Sequence, residues 1–150
     1  MTKDVLISIR GLQILVDEEG EQEPVEVLNT GQYYCKNNHH YIIYDEPEEG
    51  FDKMTHNILK FSEKKLEVTK RGLMEVHMIF EENKKTISMY QTPFGMMDMG
   101  IATTRIAMNE TPECIFLEVD YALELNGSYV GDCNIQIQVR ARTKENLSLE

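Results

Sequence analysis

The 150-residue sequence lacks tryptophan, and it also lacks the short motifs that mark the common enzyme classes. It contains no Gly-x-Ser-x-Gly, no phosphate-binding Gly-x-x-x-x-Gly-Lys-Ser/Thr, no dinucleotide fingerprint and no His-Glu-x-x-His. The usual serine hydrolases, P-loop nucleotide hydrolases, nicotinamide enzymes and zinc proteases are therefore disfavoured. The sequence favours a protein that is not an enzyme, and we expect no cofactor.

Basic side chains are scarce. Lys and Arg number 15 against 26 Asp and Glu, which gives a net charge of −11, and no long basic run occurs. Nucleic acids are bound by neutralising phosphates, and anionic membranes repel an acidic surface, so neither partner is expected. Carboxylates crowd the segments 17–26 and 45–52. Solvated loops are the simplest interpretation, and docking of a basic protein partner is the alternative.

Cysteine and long apolar runs are also rare. The three cysteines are Cys35, Cys114 and Cys133, an odd number without any Cys-x-x-Cys spacing. The apolar run 5–9 ends at Arg10, which makes it too short to span a membrane, and no small-residue cleavage site follows. Unpaired thiols without an export signal predict a reducing compartment, with the cytoplasm as the default.

Apolar and polar residues alternate along most of the chain. The clearest example runs from Ile115 through Val119 to Leu123, with apolar residues at every second position. Successive side chains of a strand point to opposite faces, so this period predicts strands with one buried and one wet face. No segment sustains a 3.6-residue stripe, although 54–61 leaves a helix open as an alternative to a strand. The predicted strands lie at roughly 4–17, 24–36, 39–46, 55–62, 65–71, 75–82, 85–92, 97–108, 114–125 and 128–142.

The short connections between these strands predict sequential hairpins. We therefore expect an all-β fold, an antiparallel up-and-down barrel of about 8–10 strands. Closure of the sheet would remove the long exposed edges of an open sheet, and a β-sandwich is the main alternative. Residues 1–143 are predicted to form this single domain, and residues 144–150 a flexible tail.

Three turns and bends help to set the predicted register. The apolar phase changes at Gly11, which indicates a β-bulge in the first strand. A two-residue turn at Asn37-Asn38 would place Tyr44 over Gly31. At the Asn126-Gly127 site, a three-residue loop over 125–127 is predicted, since it sets Tyr121 opposite Gly131 and Val119 opposite Cys133 on one face.

Five short features follow one another along the chain: Thr30-Gly31-Gln32-Tyr33-Tyr34, Tyr41-Ile42-Ile43-Tyr44-Asp45-Glu46, Lys70-Arg71-Gly72, Thr92-Pro93-Phe94-Gly95, and the last strand pair with Tyr121 and Asn134. In this order they resemble a known family, the YwiB-like proteins, a domain-of-unknown-function family of Gram-positive bacteria. The resemblance covers nearly the whole chain and implies a calycin-type barrel, related in shape to lipocalins and fatty-acid-binding proteins. It implies no activity, cofactor or catalytic residue, and the early Gly-x-Trp of lipocalins is missing here.

A set of polar residues on otherwise apolar rows forms the predicted ligand-binding site. Barrels of this size have room for one small ligand. The leading hypothesis is a non-enzymatic binder of a small apolar or amphipathic ligand. The alternatives are an acidic domain that docks a basic protein, and an enzyme with a carboxylate base in the barrel mouth. The predicted set is Tyr44, Glu46, Arg71, Tyr90 and Tyr121.

Within that set, Glu46 shares a face with Tyr44, whereas the neighbouring Asp45 points away. A carboxylate at the end of an inward row is expected near the barrel mouth. Arg71 would point inward only if Gly72 bends the strand, and Lys70 otherwise takes the inward position. A cation there could pair with a carboxylate or phosphate of a ligand.

The adjacent His39 and His40 invite comparison with a metal site. Neighbouring residues on a strand face opposite sides, so both cannot bind one ion without a bulge. No metal is therefore expected. Cys133 is predicted to face the core as an inert thiol.

Overall fold

The alternating segments of the sequence form ten β-strands. The computed structural model describes residues 3–16, 22–47, 54–72, 75–92 and 95–142, and within these the side chains of 12–16, 22–25 and 90–92 are not described. The segment 54–61 is a strand, so the helical alternative is wrong. The strands are β1 (Asp4–Val16), β2 (Gln22–Lys36), β3 (His39–Pro47), β4 (Met54–Phe61), β5 (Lys65–Arg71), β6 (Val76–Glu81), β7 (Lys84–Thr92), β8 (Gly95–Glu110), β9 (Cys114–Leu125) and β10 (Ser128–Ala141).

All ten strands belong to one antiparallel sheet. Their order is β6-β5-β4-β3-β2-β1-β10-β9-β8-β7, so strands that follow one another in sequence are joined by a ladder, except β6 and β7. The first and last strands pair, for example Ile7 with Val139. The predicted all-β up-and-down barrel is confirmed: the sheet is a nearly closed barrel of ten strands. Its kinship with calycins stays a prediction.

The sheet leaves one seam between β6 and β7, which no ladder joins among the described residues. A tight turn connects the two strands, and there the backbone N–H of Asn83 donates to Thr103 of β8 at 2.9 Å. Thr86 donates its hydroxyl to the carbonyl of Ile79 across the seam. Among the described residues, the Thr86 hydrogen bond therefore crosses the seam near its turn end, and the turn itself is tied to β8, in place of a continuous ladder.

The inward faces of the strands form one apolar core. Val119 and Ile135 pair across β9 and β10 and are fully buried, as the alternation predicts. Burial of one such side chain contributes about 1.5–3 kcal/mol, so the core supplies the main stabilisation. The largest fully buried side chains are Phe61, Phe80, Ile7, Ile42, Leu59, Leu66, Ile101, Ile115, Leu117, Ile135, Ile137 and Val5.

The predicted turn at Asn37 and Asn38 is confirmed. Both residues have positive φ, 52° and 64°, and they connect β2 to β3 as a two-residue hairpin. The register brings Gly31 against Tyr44, where a Cβ on Gly31 would lie 3.0 Å from the Tyr44 Cβ and 2.6 Å from the Ile43 carbonyl oxygen. Glycine is thus required at this position for tight packing.

The predicted three-residue loop at 125–127 is wrong. Asn126 and Gly127 form a two-residue turn with φ of 50° and 82°, and Leu125 pairs with Ser128. A bulge at 129–131 then shifts the register, so Tyr121 pairs with Cys133 rather than Gly131. The phase correction lies in the strand and not in the turn, which keeps the apolar face continuous.

The predicted bulge at Gly11 is confirmed. Its φ is +91°, and the register between β1 and β2 shifts between Arg10 and Gln13. A Cβ on Gly11 would lie 2.0 Å from the carbonyl oxygen of Asn134 on β10. The close approach of β10 and the left-handed backbone both require glycine here.

Some sequence predictions fall outside the described residues. Most of the acidic segment 17–26 and of the segment 45–52 lies there or lacks described side chains, as does the tail 144–150. The acidic docking hypothesis and the domain limits therefore stay predictions, and so does the cytoplasmic location. Over the described ranges, no helix is long and apolar enough to cross a membrane.

Candidate functional site

Four polar side chains meet where β3 and β5 end and β4 begins. In the antiparallel ladder, Tyr44 pairs with Asn57, Asn57 pairs with Lys70, and Glu46 pairs with Thr55. Paired residues share a face, and Tyr44 and Asn57 are buried, so this face is the interior. We refer to Tyr44, Glu46, Asn57 and Lys70 as the Glu46 cluster.

Direct contacts hold the cluster together. The Lys70 ammonium lies 3.1 Å from Oε1 of Glu46, and their side chains are only 14 % and 16 % exposed. Asn57 donates from Nδ2 to the same Glu46 oxygen at 3.3 Å and to the Thr55 carbonyl at 3.1 Å. Since the ion pair keeps some exposure while Asn57 has none, solvent reaches the cluster from one side. This agrees with the predicted place of Glu46 near a mouth of the barrel.

One atom of the cluster has no partner. Oδ1 of Asn57 is buried and accepts no hydrogen bond from the described residues. A buried acceptor without a donor costs about 1–3 kcal/mol, and most such atoms in folded proteins are paired. The cluster therefore carries an unsatisfied hydrogen-bond acceptor inside the barrel.

Tyr44 contributes both an aromatic ring and a phenol hydroxyl to the cluster. The side chain is 4 % exposed. Burial raises the pKa of the Tyr44 phenol well above its ordinary value, and the negative charge of Glu46 raises this pKa further. Tyr44 is therefore a neutral hydrogen-bonding group at physiological pH.

Tyr121 faces the interior as predicted but belongs to another part of the barrel. It packs edge-on against Phe80, with ring centroids 4.9 Å apart. Phe80 pairs with Leu66 at the start of β5, whereas Lys70 lies at the end of that strand. Burial, followed by the charge of Cys133 beside it, raises the pKa of the Tyr121 phenol. The structure thus separates Tyr121 from the Glu46 cluster.

Arg71 does not lie at the site. It is exposed on the outer face of β5 and pairs across the ladder with His56. Its inward position required a bend at Gly72, but the strand keeps its alternation up to Arg71 and Lys70 faces inward instead. Tyr90 lies on β7 opposite Met97, and its side chain is outside the described residues. The position of Arg71 gives no support for its use in ligand binding, and the prediction for Tyr90 concerns a side chain outside the described ones, so both stay predictions.

Asn57 is the residue that the sequence analysis missed. It occupies an inward row with Leu59 and Phe61, and both of those are buried. An asparagine on such a row is the same kind of signal that singled out Tyr44 and Glu46. Its importance depends on the neighbouring strands, which the alternation of β4 alone does not show.

A second polar group consists of the buried Tyr33 and His40 beside Phe61 and of the half-exposed Glu110. Tyr33 Oη and His40 Nδ1 are 2.7 Å apart, and His40 Nε2 lies 3.8 Å from Oε1 of Glu110. We refer to Tyr33, His40 and Glu110 as the histidine cluster. Burial, then the charges of Cys35 and Glu110, raise the pKa of Tyr33 to about 12.

The two adjacent histidines face opposite ways, as predicted. His40 is 6 % exposed in the interior, whereas His39 lies on the other face and contacts the Asn37 carbonyl at 2.9 Å. Over the described parts of the chain, no three His, Cys, Asp or Glu side chains come together as ligands for an ion.

Cys133 lies half-buried beside Tyr121, on the interior face. Burial raises the pKa of its thiol, the hydrogen bond with Tyr121 lowers it, and the nearby Asp132 raises it again, with an upward result. A thiol held in its protonated form is a poor nucleophile. The geometry agrees with an inert thiol.

A groove of about 590 Å³ lies on the outer face of β1, β2 and β10. Leu6 pairs there with Thr30 and Arg140, and these residues alternate with the buried row of β1. The groove is large enough for a small molecule, but it opens on the opposite side of the sheet from the Glu46 cluster. Its lining residues are Leu6, Ser8, Glu26, Leu28, Asn29, Thr30, Gln138 and Arg140.

Comparison with known proteins gives three matches. A family model described as "Domain of unknown function (DUF1934)" matches residues 7–137. The chain is 29 % identical over 118 residues to the uncharacterized β-barrel protein YwiB of Bacillus subtilis (strain 168), which covers 79 % of this chain and 78 % of that protein. The crystal structure of the ywiB protein from Bacillus subtilis superposes with a TM-score of 0.76 at 25 % identity, covering 94 % of this chain and 93 % of the other. The resemblance noted in the sequence is confirmed.

Proposed function

Since the chain belongs to the DUF1934 family, a family of unknown function, we propose from the barrel itself that this protein binds a small amphipathic ligand without chemical conversion. The polar end of the ligand lies at the Glu46 cluster, and its apolar part extends into the barrel. This proposal takes up the ligand-binding hypothesis of the sequence and replaces Arg71 by Lys70 and Asn57.

The unpaired Oδ1 of Asn57 carries the proposal. A purely structural polar group in an apolar interior is normally satisfied within the protein, because the penalty for an unpaired atom exceeds the gain from most neutral hydrogen bonds. A ligand that donates to this atom would remove the penalty on binding. Binding sites commonly combine an apolar lining with a few such convergent polar groups.

The surroundings of the cluster suit the apolar part of a ligand. Next to Tyr44, Asn57 and Lys70 on their inward rows lie Ile42, Leu59 and Val68, each fully buried. Met78 pairs with Val68 and is only partly buried. Methionine side chains adapt to irregular neighbours, so this wall can adjust to a bound chain.

Binding is favoured over catalysis by the state of Glu46. A general base must reach the proton that it removes, within about 2.6–3.2 Å of the donor atom. Oε1 of Glu46 is already in contact with Lys70 and Asn57. The carboxylate therefore serves first as the partner of a cation, and the enzymatic alternative has less support.

A tryptophan reporter tests the proposal, because the natural sequence contains no tryptophan. Met78→Trp places one indole on the inward row beside Val68, and His77→Trp places the matched indole on the exposed outer face. We expect the emission of the Met78→Trp protein to change saturably on titration with an amphipath of ten carbons, tried in turn as decanol, decanoate and decylammonium. The His77→Trp protein is expected to remain unchanged.

The absence of a saturable change with all three compounds would refute the proposal. The indole of the Met78→Trp protein could itself prevent a ligand from entering the barrel. Native mass spectrometry of the wild-type protein with the same compounds controls for this. A one-to-one complex is expected there.

A further inference from the structure

We propose that the Glu46 cluster selects a neutral head group with an O–H or N–H donor, such as the hydroxyl of a fatty alcohol, and rejects a carboxylate. The inference rests on the proposed function and adds the chemical class of the ligand. It follows from which atom of the cluster lacks a partner and from the charges already paired there.

The orientation of the Asn57 amide identifies the missing group as a donor. Its nitrogen faces two acceptors, Oε1 of Glu46 and the carbonyl of Thr55. If the amide were turned over, its oxygen would face both acceptors without a proton between them. The buried atom without a partner is therefore the oxygen. An acceptor requires a donor, which an ionised carboxylate does not have.

The charges of the cluster point to a neutral ligand. Lys70 and Glu46 are 3.1 Å apart and neutralise one another. An anionic head group would lie beside the Glu46 carboxylate or would have to displace it from Lys70. A cationic head group would meet Lys70 in the same way. Like charges repel strongly where water is partly excluded, so both are disfavoured.

A hydroxyl meets both requirements at once. It donates its proton to Oδ1 of Asn57 and keeps lone pairs that accept from a second donor. The Lys70 ammonium has three N–H groups, and one is directed at Glu46. The remaining ones can serve the ligand oxygen while the ion pair stays intact.

Isothermal titration calorimetry with the wild-type protein gives the first test. Decanol, decanoate and decylammonium share one chain and differ only in the head group. We expect decanol to bind roughly tenfold or more tightly than either ion, since a mismatched buried polar group costs about that much. The side-chain amide resonance of Asn57 is expected to shift with decanol.

Two variants reverse the selectivity in opposite directions. Glu46→Gln frees the charge of Lys70, so decanoate is expected to gain at least roughly tenfold in affinity relative to decanol. Lys70→Met leaves Glu46 without its cation, so decylammonium gains instead. Glu67→Gln is the matched control. The Glu67 carboxylate lies 3.0 Å from the Lys65 ammonium, and this ion pair is not part of the Glu46 cluster. The Glu67→Gln protein is expected to rank the three compounds as the wild type does.

The possible results separate the two proposals. If the wild-type protein binds decanoate more tightly than decanol, the head-group inference is wrong while the binding function stands. If none of the three compounds binds saturably, the binding function fails and the inference fails with it. The wild-type ranking decides the question even where a variant does not fold.

Discussion

The Glu46 cluster and the histidine cluster both place polar side chains in the apolar interior of this barrel, and they differ in how completely their hydrogen-bonding atoms are used. In the histidine cluster, Tyr33 and His40 contact each other at 2.7 Å. In the Glu46 cluster, Oδ1 of Asn57 has no partner among the described residues. A satisfied polar pair makes a core specific, whereas an unsatisfied one destabilises the free protein and favours a ligand.

Packing reinforces the difference. The His40 ring stacks between Tyr33 and Phe61, with centroids 5.8 Å and 5.1 Å away. The side chains of Lys70 and Glu46 are 14 % and 16 % exposed. Glu110 of the histidine cluster is 49 % exposed, so both clusters reach solvent on one side and they differ in ring stacking and hydrogen bonding.

Alkaline unfolding gives the largest expected effect, because each cluster contains a buried tyrosine. The folded pKa of Tyr33 is about 12, compared with an ordinary value of 10.0, and the pKa of Tyr44 is also raised. Between these values the unfolded chain has lost the proton and the native chain retains it, so stability falls as pH rises above 10. The loss is about 1.4 kcal/mol per pH unit for each tyrosine.

Urea unfolding at a series of pH values above 10 measures this loss. The slope is the change in the free energy of unfolding per pH unit. Tyr33→Phe and Tyr44→Phe should each reduce it by the contribution of one titrating tyrosine, about 1.4 kcal/mol per pH unit. Tyr34→Phe, at a residue that is 44 % exposed on the outer face, is the control. A Tyr33→Phe protein with the wild-type slope would show that Tyr33 is not responsible.

Breaking the ion pair tests the Glu46 cluster next. Lys70→Met leaves the Glu46 carboxylate partly buried without its cation, and we expect a loss of about 2–3 kcal/mol, below the value for a fully buried pair. The double variant Lys70→Met/Glu46→Leu should recover to within about 1 kcal/mol of the wild type, because both charges are gone. Chemical denaturation checks both values. If the double variant is as unstable as the single one, the pair contributes through packing and not through charge.

The strands of both clusters could be predicted from the sequence, since a period of two is a local property of each segment. A two-residue turn at Asn37 and Asn38 sets the register between β2 and β3. The packing of Gly31 against Tyr44 could therefore be predicted from the sequence as well. The prediction for the turn at Asn126 is wrong because a bulge restores the alternation of apolar and polar residues equally well in the turn or in the strand. The sequence does not distinguish the two positions.

The composition of the site could be predicted only in part. Tyr44 and Glu46 lie on one row, so alternation alone brings them together. Lys70 faces inward in place of Arg71 because β5 continues without a bend, and this depends on its pairing with β6. Asn57 joined the site through the ladder between β3 and β4. Contacts between strands are set by register, which no single segment contains.

A smaller loss is expected when the histidine cluster is broken. His40→Phe keeps the stacking on Phe61 but removes the imidazole partner of the buried Tyr33 hydroxyl, which should cost about 1–2 kcal/mol. Adding Tyr33→Phe removes the unpaired hydroxyl, so the double variant should be less destabilised than the sum of the single variants. Thermal denaturation of the wild type, the two single variants and the double variant gives the double-mutant cycle. Additive losses would mean that the two side chains do not depend on each other.

The smallest effect is expected at Asn57, and it decides the comparison between the clusters. Asn57→Leu removes the bonds from Nδ2 to Glu46 and Thr55, and it also removes the unpaired acceptor. These two changes oppose each other, so we expect a loss of about 1 kcal/mol or less, clearly below that of His40→Phe. Denaturation in the absence of any amphipath measures it, with Asn109→Leu on the exposed face of β8 as the matched control.

A loss of several kcal/mol at Asn57 would place this residue among the structural polar groups, like His40. A small loss together with weakened decanol binding would mean that the fold keeps an asparagine it does not need for stability. Proteins tolerate such positions where function requires a group that the free state leaves unsatisfied. The difference between the two clusters would then be one of function, and the unpaired Oδ1 of Asn57 would be its mark in the native protein.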